Sequence, residues 1–159
     1  MKKTFLCIFT VIIFLCSFSH AVFAGNCDGW YVKRNGLHKQ PGIDAQFSYI
    51  EELNGYYVDR KHGDECDEKV IYLTFDAGYE NGNIEKILNV LKEENVTATF
   101  FVLEHLIRDK TELVKRMADE GHIVANHTMS HKDMTKVKKE EFRSELTGLE
   151  NIYRETTGR

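Results

Sequence analysis

The chain contains one proline, one tryptophan and four cysteines, and what it lacks narrows its chemistry before any motif is read. There is no Cys-x-x-Cys pair, so a thiolate zinc site of the usual spacing is excluded. No glycine-rich phosphate loop and no Gly-x-Ser-x-Gly elbow occurs, which removes the common nucleotide-binding and serine-hydrolase signatures. No cysteine sits in the setting of a catalytic nucleophile. An excess of positive charge is missing too, since 21 Lys and Arg face 25 Asp and Glu. Nucleic acid is therefore excluded as a partner, because its affinity comes largely from phosphate neutralisation by Lys and Arg. After Val70 there is no internal repeat, low-complexity run or flexible linker.

Long apolar runs are scarce as well. The one of note, Phe5 to Phe18, follows Lys2 and Lys3 and precedes Val22-Phe23-Ala24, the pattern of a secretory signal peptide over residues 1–24. An uncleaved anchor is the weaker alternative, since a spanning helix wants roughly 20 apolar residues. The expectation is thus export to the cell envelope or beyond, with no stable membrane span after cleavage. Cleavage would remove Cys7, Cys16 and two lysines, leaving 135 residues of net charge −6. Cys27 and Cys66 remain, and an oxidising compartment permits them to pair. Sequence alone leaves that pairing open, because a disulfide needs the two Cα atoms close together. Asn26 is too polar and bulky for the position before a lipidated cysteine.

Residues 25–69 are irregular, punctuated by Gly25, Gly29, Gly36, Pro41-Gly42, Asn54-Gly55 and His62-Gly63. They read as an N-terminal extension packed on the outside of the domain, with one short helix near Asp44 to Leu53. His38 and His62 are expected to be solvated loop residues. From Val70 the texture alternates. Val70 to Phe75 reads as a strand. Asn83 is a candidate N-cap, followed by Ile84, Ile87, Leu88 and Leu91 at the spacing of an amphipathic helix. Thr97 to Val102 is a second strand. Asp109 with Glu112 resembles a capping box, opening a helix with Leu113, Val114 and Met117 inward and ending at Gly121. His122 to Ala125 is the third strand, and a last helix from about Lys138 to Tyr153 turns Phe142, Leu146, Leu149 and Tyr153 to one face. Three βα units in a row imply an α/β fold with parallel strands and right-handed crossovers.

In such folds the chemistry gathers at the carboxyl ends of the strands. Asp76 follows the first strand and His127 the third, so both project from one rim. His127 and His131 are four residues apart across Thr128-Met129-Ser130, a segment suited to a tight turn that lets two imidazoles converge on one divalent metal. On its own such a pair is often a solvated helix face, and Asp76 before Gly78 could be a simple turn carboxylate. The coincidence of an acid with two imidazoles at one rim favours metal-assisted hydrolysis, in which the carboxylate takes a proton from water. A catalytic zinc shell generally holds three protein ligands, yet the residue beside Asp76 is Ala77. His105 lies just past the second strand and reads as a helix-start or surface residue; His122 precedes the third strand and reads as structural. Tyr79, Glu80 and Asn81 could line a sugar groove or form a solvated turn.

With these residues in place, the chain resembles the polysaccharide deacetylases of carbohydrate esterase family 4, the NodB-like domain. The likeness rests on TFDAGYENG at 74–82, ATFFV at 98–102, EGHIVANHTMSH at 120–131 and ELTGLENIYRETTG at 145–158. Tyr-Glu-Asn-Gly and the extension bearing Trp30-Tyr31 are similar to secreted peptidoglycan deacetylases acting on N-acetylmuramic acid, including those that prepare muramic δ-lactam in spore cortex. The resemblance implies that residues 70–159 are part of a distorted (β/α) barrel, with Asp76 as general base and His127 and His131 as ligands of a divalent metal, zinc. The family's usual second aspartate, normally the third ligand, corresponds to Ala77. The family's later motifs, an Arg with paired prolines and a Leu-His whose imidazole protonates the leaving amine, would follow Arg159, so the chain reads as C-terminally truncated. The expected function is N-deacetylation of peptidoglycan amino sugar. The alternatives are a non-catalytic exported remnant that at most binds glycan, and a deacetylase of chitin-like or xylan-like polysaccharide.

Overall fold

The structure is a computed structural model and describes residues 31–159. The expected signal segment, Cys27 and Trp30 lie outside the described residues, and with them the Cys27–Cys66 pairing; among the described residues Cys66 has no disulfide partner.

Three strands make one parallel sheet in the order β1-β2-β3: β1 (Thr74–Ala77), β2 (Thr99–Val102) and β3 (Ile123–Asn126). The helices between and after them are α1 (Asn83–Glu93), α2 (Glu104–Asp109), α3 (Thr111–Asp119) and α4 (Lys139–Thr157). The α/β class and the three parallel βα units are as the sequence implies. Strand alternation sends Phe75, Ala77, Phe100 and Val102 toward the helices. There they join Leu88 of α1, Leu106 and Ile107 of α2, Val114 and Met117 of α3, and Leu149 and Ile152 of α4 in one apolar cluster. Phe75 stacks on Phe100 with ring centroids 5.0 Å apart. The opposite face, with Asp76, Phe101 and Ala125 in register, is more open, and its Ile123 is 63% exposed.

Several boundaries differ from the sequence reading. The first strand runs over Thr74–Ala77 rather than Val70 to Phe75, and Val70 to Leu73 are exposed. Pairing decides this: the ladder begins where the Thr99 N–H donates to the Leu73 carbonyl, and the residues before have no neighbouring strand to join. Asp109 does not open a helix. It closes α2, and Lys110, with φ −132° and ψ 45°, breaks the chain between α2 and α3. Asn83 is the first residue of α1 rather than its cap; the Glu80 carboxylate instead accepts from the N–H groups of Gly82 and Ile84. On α4, Phe142 is 44% exposed, and the buried stripe is Glu145, Leu149 and Ile152.

The segment 31–73 contains a 3-10 helix, Ala45–Leu53, where a short helix was expected. His62 is not the solvated residue the sequence suggested. Its side chain is 16% exposed, with Nδ1 2.5 Å from Asp59 and Nε2 3.1 Å from Glu68. Among the described residues no helix is long and apolar enough to cross a membrane.

Candidate active site

The rim at the carboxyl ends of the strands brings the predicted trio together. Asp76 is the third residue of β1 rather than the residue after it, and its carboxylate is 71% exposed on the open face. His127 directly follows β3, its N–H donating to the Val102 carbonyl, which extends the ladder by one residue and fixes where the ring starts. Asp76 Oδ2 and His127 Nε2 are 3.9 Å apart. That is too long for a hydrogen bond and short enough for a single ion or water to span. The rings of His127 and His131 are adjacent, tilted by 49° with centroids 4.8 Å apart.

The turn between the histidines is built from left-handed residues, Thr128 at φ 68° and His131 at φ 56°. A β-branched residue rarely adopts this region, so the turn needs outside support. Thr128 N–H donates to Asn126 Oδ1, Asn126 Nδ2 donates to the Leu146 carbonyl of α4, and His131 N–H donates to Thr128 Oγ1. Met129 lies against Gly148, where a Cβ would stand 2.9 Å from its sulfur. Glu145, absent from the sequence reading, is 2% exposed and accepts from Ser130 N–H and Oγ–H at 2.7 and 2.6 Å. Burial raises its pKa, but the Ser130 bonds and the Lys132 charge outweigh that and hold the carboxyl below the usual glutamate range. The sequence signal for it was available: Glu145 lies four residues before Leu149 and seven before Ile152, on the apolar stripe.

The remaining residues divide. His105 sits in the first turn of α2, paired with Asp109 at 3.0 Å and in contact with the Tyr79 ring at 4.6 Å. A groove of about 570 Å³ runs from His131 and Ser130 past Met129 to Tyr79, His105 and Arg108. Glu80 is occupied as a helix cap. His122 is buried at the opposite end of β3, accepts from Ala98 N–H through Nδ1, and has its pKa lowered by burial, which makes it structural.

The sequence pattern of the family described as polysaccharide deacetylase matches residues 63–159. The chain belongs to the polysaccharide deacetylase family. It is 43% identical over 129 residues to the peptidoglycan-N-acetylmuramic acid deacetylase PdaA of Bacillus subtilis, covering 80% of this chain and 47% of that protein. The solved structure of Bacillus subtilis PdaA, a family 4 carbohydrate esterase, superposes with a TM-score of 0.75 at 41% identity, over 83% of this chain and 55% of that one. A chitooligosaccharide deacetylase of Rhizobium leguminosarum bv. trifolii is 49% identical over 80 residues, 50% of this chain and 37% of that protein. The chain thus spans about half the length of the PdaA it matches.

Such a polysaccharide deacetylase fold implies a divalent metal. Among the described residues no group of three His, Cys, Asp or Glu already surrounds one point. Ala77, beside Asp76, is 4% exposed within the apolar cluster and offers no donor. The two adjacent imidazoles, with a carboxylate beside one of them, do fit a divalent ion as two of its ligands.

Proposed function

We propose that this chain serves hydrolytic N-deacetylation of a peptidoglycan amino sugar, N-acetylmuramic acid, outside the cytosol and with zinc as cofactor. The observation that carries the reading is the meeting of Asp76, His127 and His131 at one rim in a chain so similar to a peptidoglycan-N-acetylmuramic acid deacetylase. The basic-then-apolar pattern of residues 1–24 supports export, and a substrate in the cell wall, including spore cortex, agrees with it.

His127 and His131 would hold the metal, which when bound polarises the acetamide carbonyl and lowers the pKa of a neighbouring water. Asp76 is exposed toward the open face, where its carboxylate takes the proton of the attacking water. A C–O bond then forms at the acetamide carbon and the C–N bond breaks. Acetate leaves, and the sugar nitrogen leaves as the ammonium, taking up the proton that Asp76 accepted from water and the one that the new carboxylic acid gives up. The groove leading from His131 to Tyr79 offers an aromatic face and the paired charges of Arg108 with Glu104 and His105 with Asp109, a mixed polar and aromatic lining that suits a glycan.

Acetate release from purified peptidoglycan tests this directly. The parent should release acetate and Asp76→Asn should not; equal release by the two removes the base assignment. Zinc titration should show binding that is lost when His127→Ala and His131→Ala are combined. One observation favours a second reading, a non-catalytic glycan binder: the third-ligand position is a buried alanine. Glycan retention without zinc binding or acetate release would establish it. Comparing peptidoglycan with chitin and xylan oligomers as acetate donors separates the remaining substrate choices.

A further inference from the structure

We propose that Glu145 is a positioning residue that sets the separation of His127 and His131 by clamping the turn between them to α4. The inference rests on the reading that these two histidines act together as ligands. Glu145 is the one carboxylate buried among the described residues, and it lies on the apolar stripe of α4. A carboxylate there is costly to desolvate, and a leucine would pack the stripe without that cost, so stability alone does not explain it.

Its bonds are all directed at one place. Oε2 accepts the Ser130 N–H at 2.7 Å, Oε1 accepts the Ser130 hydroxyl at 2.6 Å, and Lys132 Nζ approaches Oε1 at 3.3 Å. Ser130 and Lys132 are the two chain neighbours of His131, so the residues on both sides of that ligand are tied to one side chain. Two parallel bonds to a single serine fix orientation as well as distance. Such a hold matters here because His131 itself has a left-handed backbone, which would relax if the peptide before it were free to turn. The turn therefore keeps its form through a group that touches neither metal nor substrate.

The test uses the full chain and its Glu145→Gln, Ser130→Ala and Leu149→Ala variants, with folding checked by circular dichroism. Zinc affinity is read by competition with a chromophoric chelator, and the histidine ring resonances are read without metal. Glu145→Gln and Ser130→Ala should each lower zinc affinity by roughly tenfold or more, the scale on which groups orienting metal ligands act. The double variant should lose less than the two single losses combined, because both act on the bond between the Ser130 hydroxyl and Glu145. Leu149→Ala loosens the same helix without removing a hydrogen bond to the turn, so the zinc affinity of its folded fraction should match the parent's. The proposal is overturned if Glu145→Gln and Ser130→Ala keep the parent affinity and ring resonances, or if Leu149→Ala costs as much affinity as they do. If the parent binds no zinc, the ligand reading fails by itself. The metal-free ring resonances still decide the role of Glu145: shifted in both variants they support it, unshifted they overturn it.

Discussion

Residues 31–73 and residues 74–159 are held by different forces. The second region gathers thirteen buried apolar side chains into one cluster under a parallel sheet, whereas the first buries Phe47 and otherwise relies on polar contacts. In the first region Gln40 donates to the carbonyls of Asp59 and His62, Arg60 pairs with Glu51 at 2.6 Å, and Tyr72 donates to Asp59. The difference teaches where cooperativity lies. Apolar burial, worth about 1.5–3 kcal/mol for each large side chain, binds strands and helices into one unit, while exposed polar contacts contribute little each and open locally. All three candidate catalytic residues belong to the region with the cluster, on or just beyond its strand ends.

The largest effect that can break this contrast is expected at Phe100, which is fully buried and stacked on Phe75. Phe100→Ala should destabilise the chain by about 3–5 kcal/mol, the range for aromatic truncation in a core. Phe47→Ala should leave the main unfolding midpoint in place and raise amide exchange only around the 3-10 helix. Denaturant unfolding of both variants checks the pair. A Phe47→Ala midpoint shifted as far as that of Phe100→Ala would show one cooperative unit instead of two regions.

The apolar region was also the legible one. The helix α1 is written in Ile84, Ile87, Leu88 and Leu91, and the common rim of Asp76 and His127 follows from the parallel strand order alone. What was not legible depended on partners far along the chain. Val70 to Leu73 look like strand yet lack a neighbour to pair with, and α2, six residues long, is too short to show a period. The stripe of α4 marks Glu145 as inward-facing but does not name Ser130 as its partner, and His62 passes for a loop residue until Asp59 and Glu68 are seen on its two nitrogens. Polar contacts of this kind carry no periodicity, so sequence spacing cannot announce them.

A smaller effect sharpens the contrast inside the site. Gly148 is where α4 meets Met129, and an alanine there would force the sulfur away from a 2.9 Å approach. Alanine gains up to about 1 kcal/mol of helix propensity over glycine, and the thioether is flexible enough to step aside. Gly148→Ala should therefore leave stability within about 1 kcal/mol of the parent while shifting the Met129 methyl resonance, with a smaller shift in the His131 ring. An unmoved Met129 resonance would mean that helix and turn are not packed together.

The smallest effect concerns the polar region and appears as pH dependence. The Tyr72 hydroxyl, then the His62 ring, hold the Asp59 carboxyl well below the usual aspartate range. A depressed folded pKa stabilises above the unfolded value of about 3.9 and loses that contribution as pH falls through the folded value. The segment from Asp59 to Tyr72 should accordingly stay protected at pH 5 and loosen below about pH 4, as followed by limited proteolysis with an acid-tolerant protease. Tyr72→Phe removes the strongest of the groups that lower this pKa. It should open the segment more than the parent does at neutral pH, and the gap should close on acidification, because the parent's advantage is the part that protonation removes. A gap that widened as pH fell would show that Tyr72 acts by packing and not through the Asp59 charge.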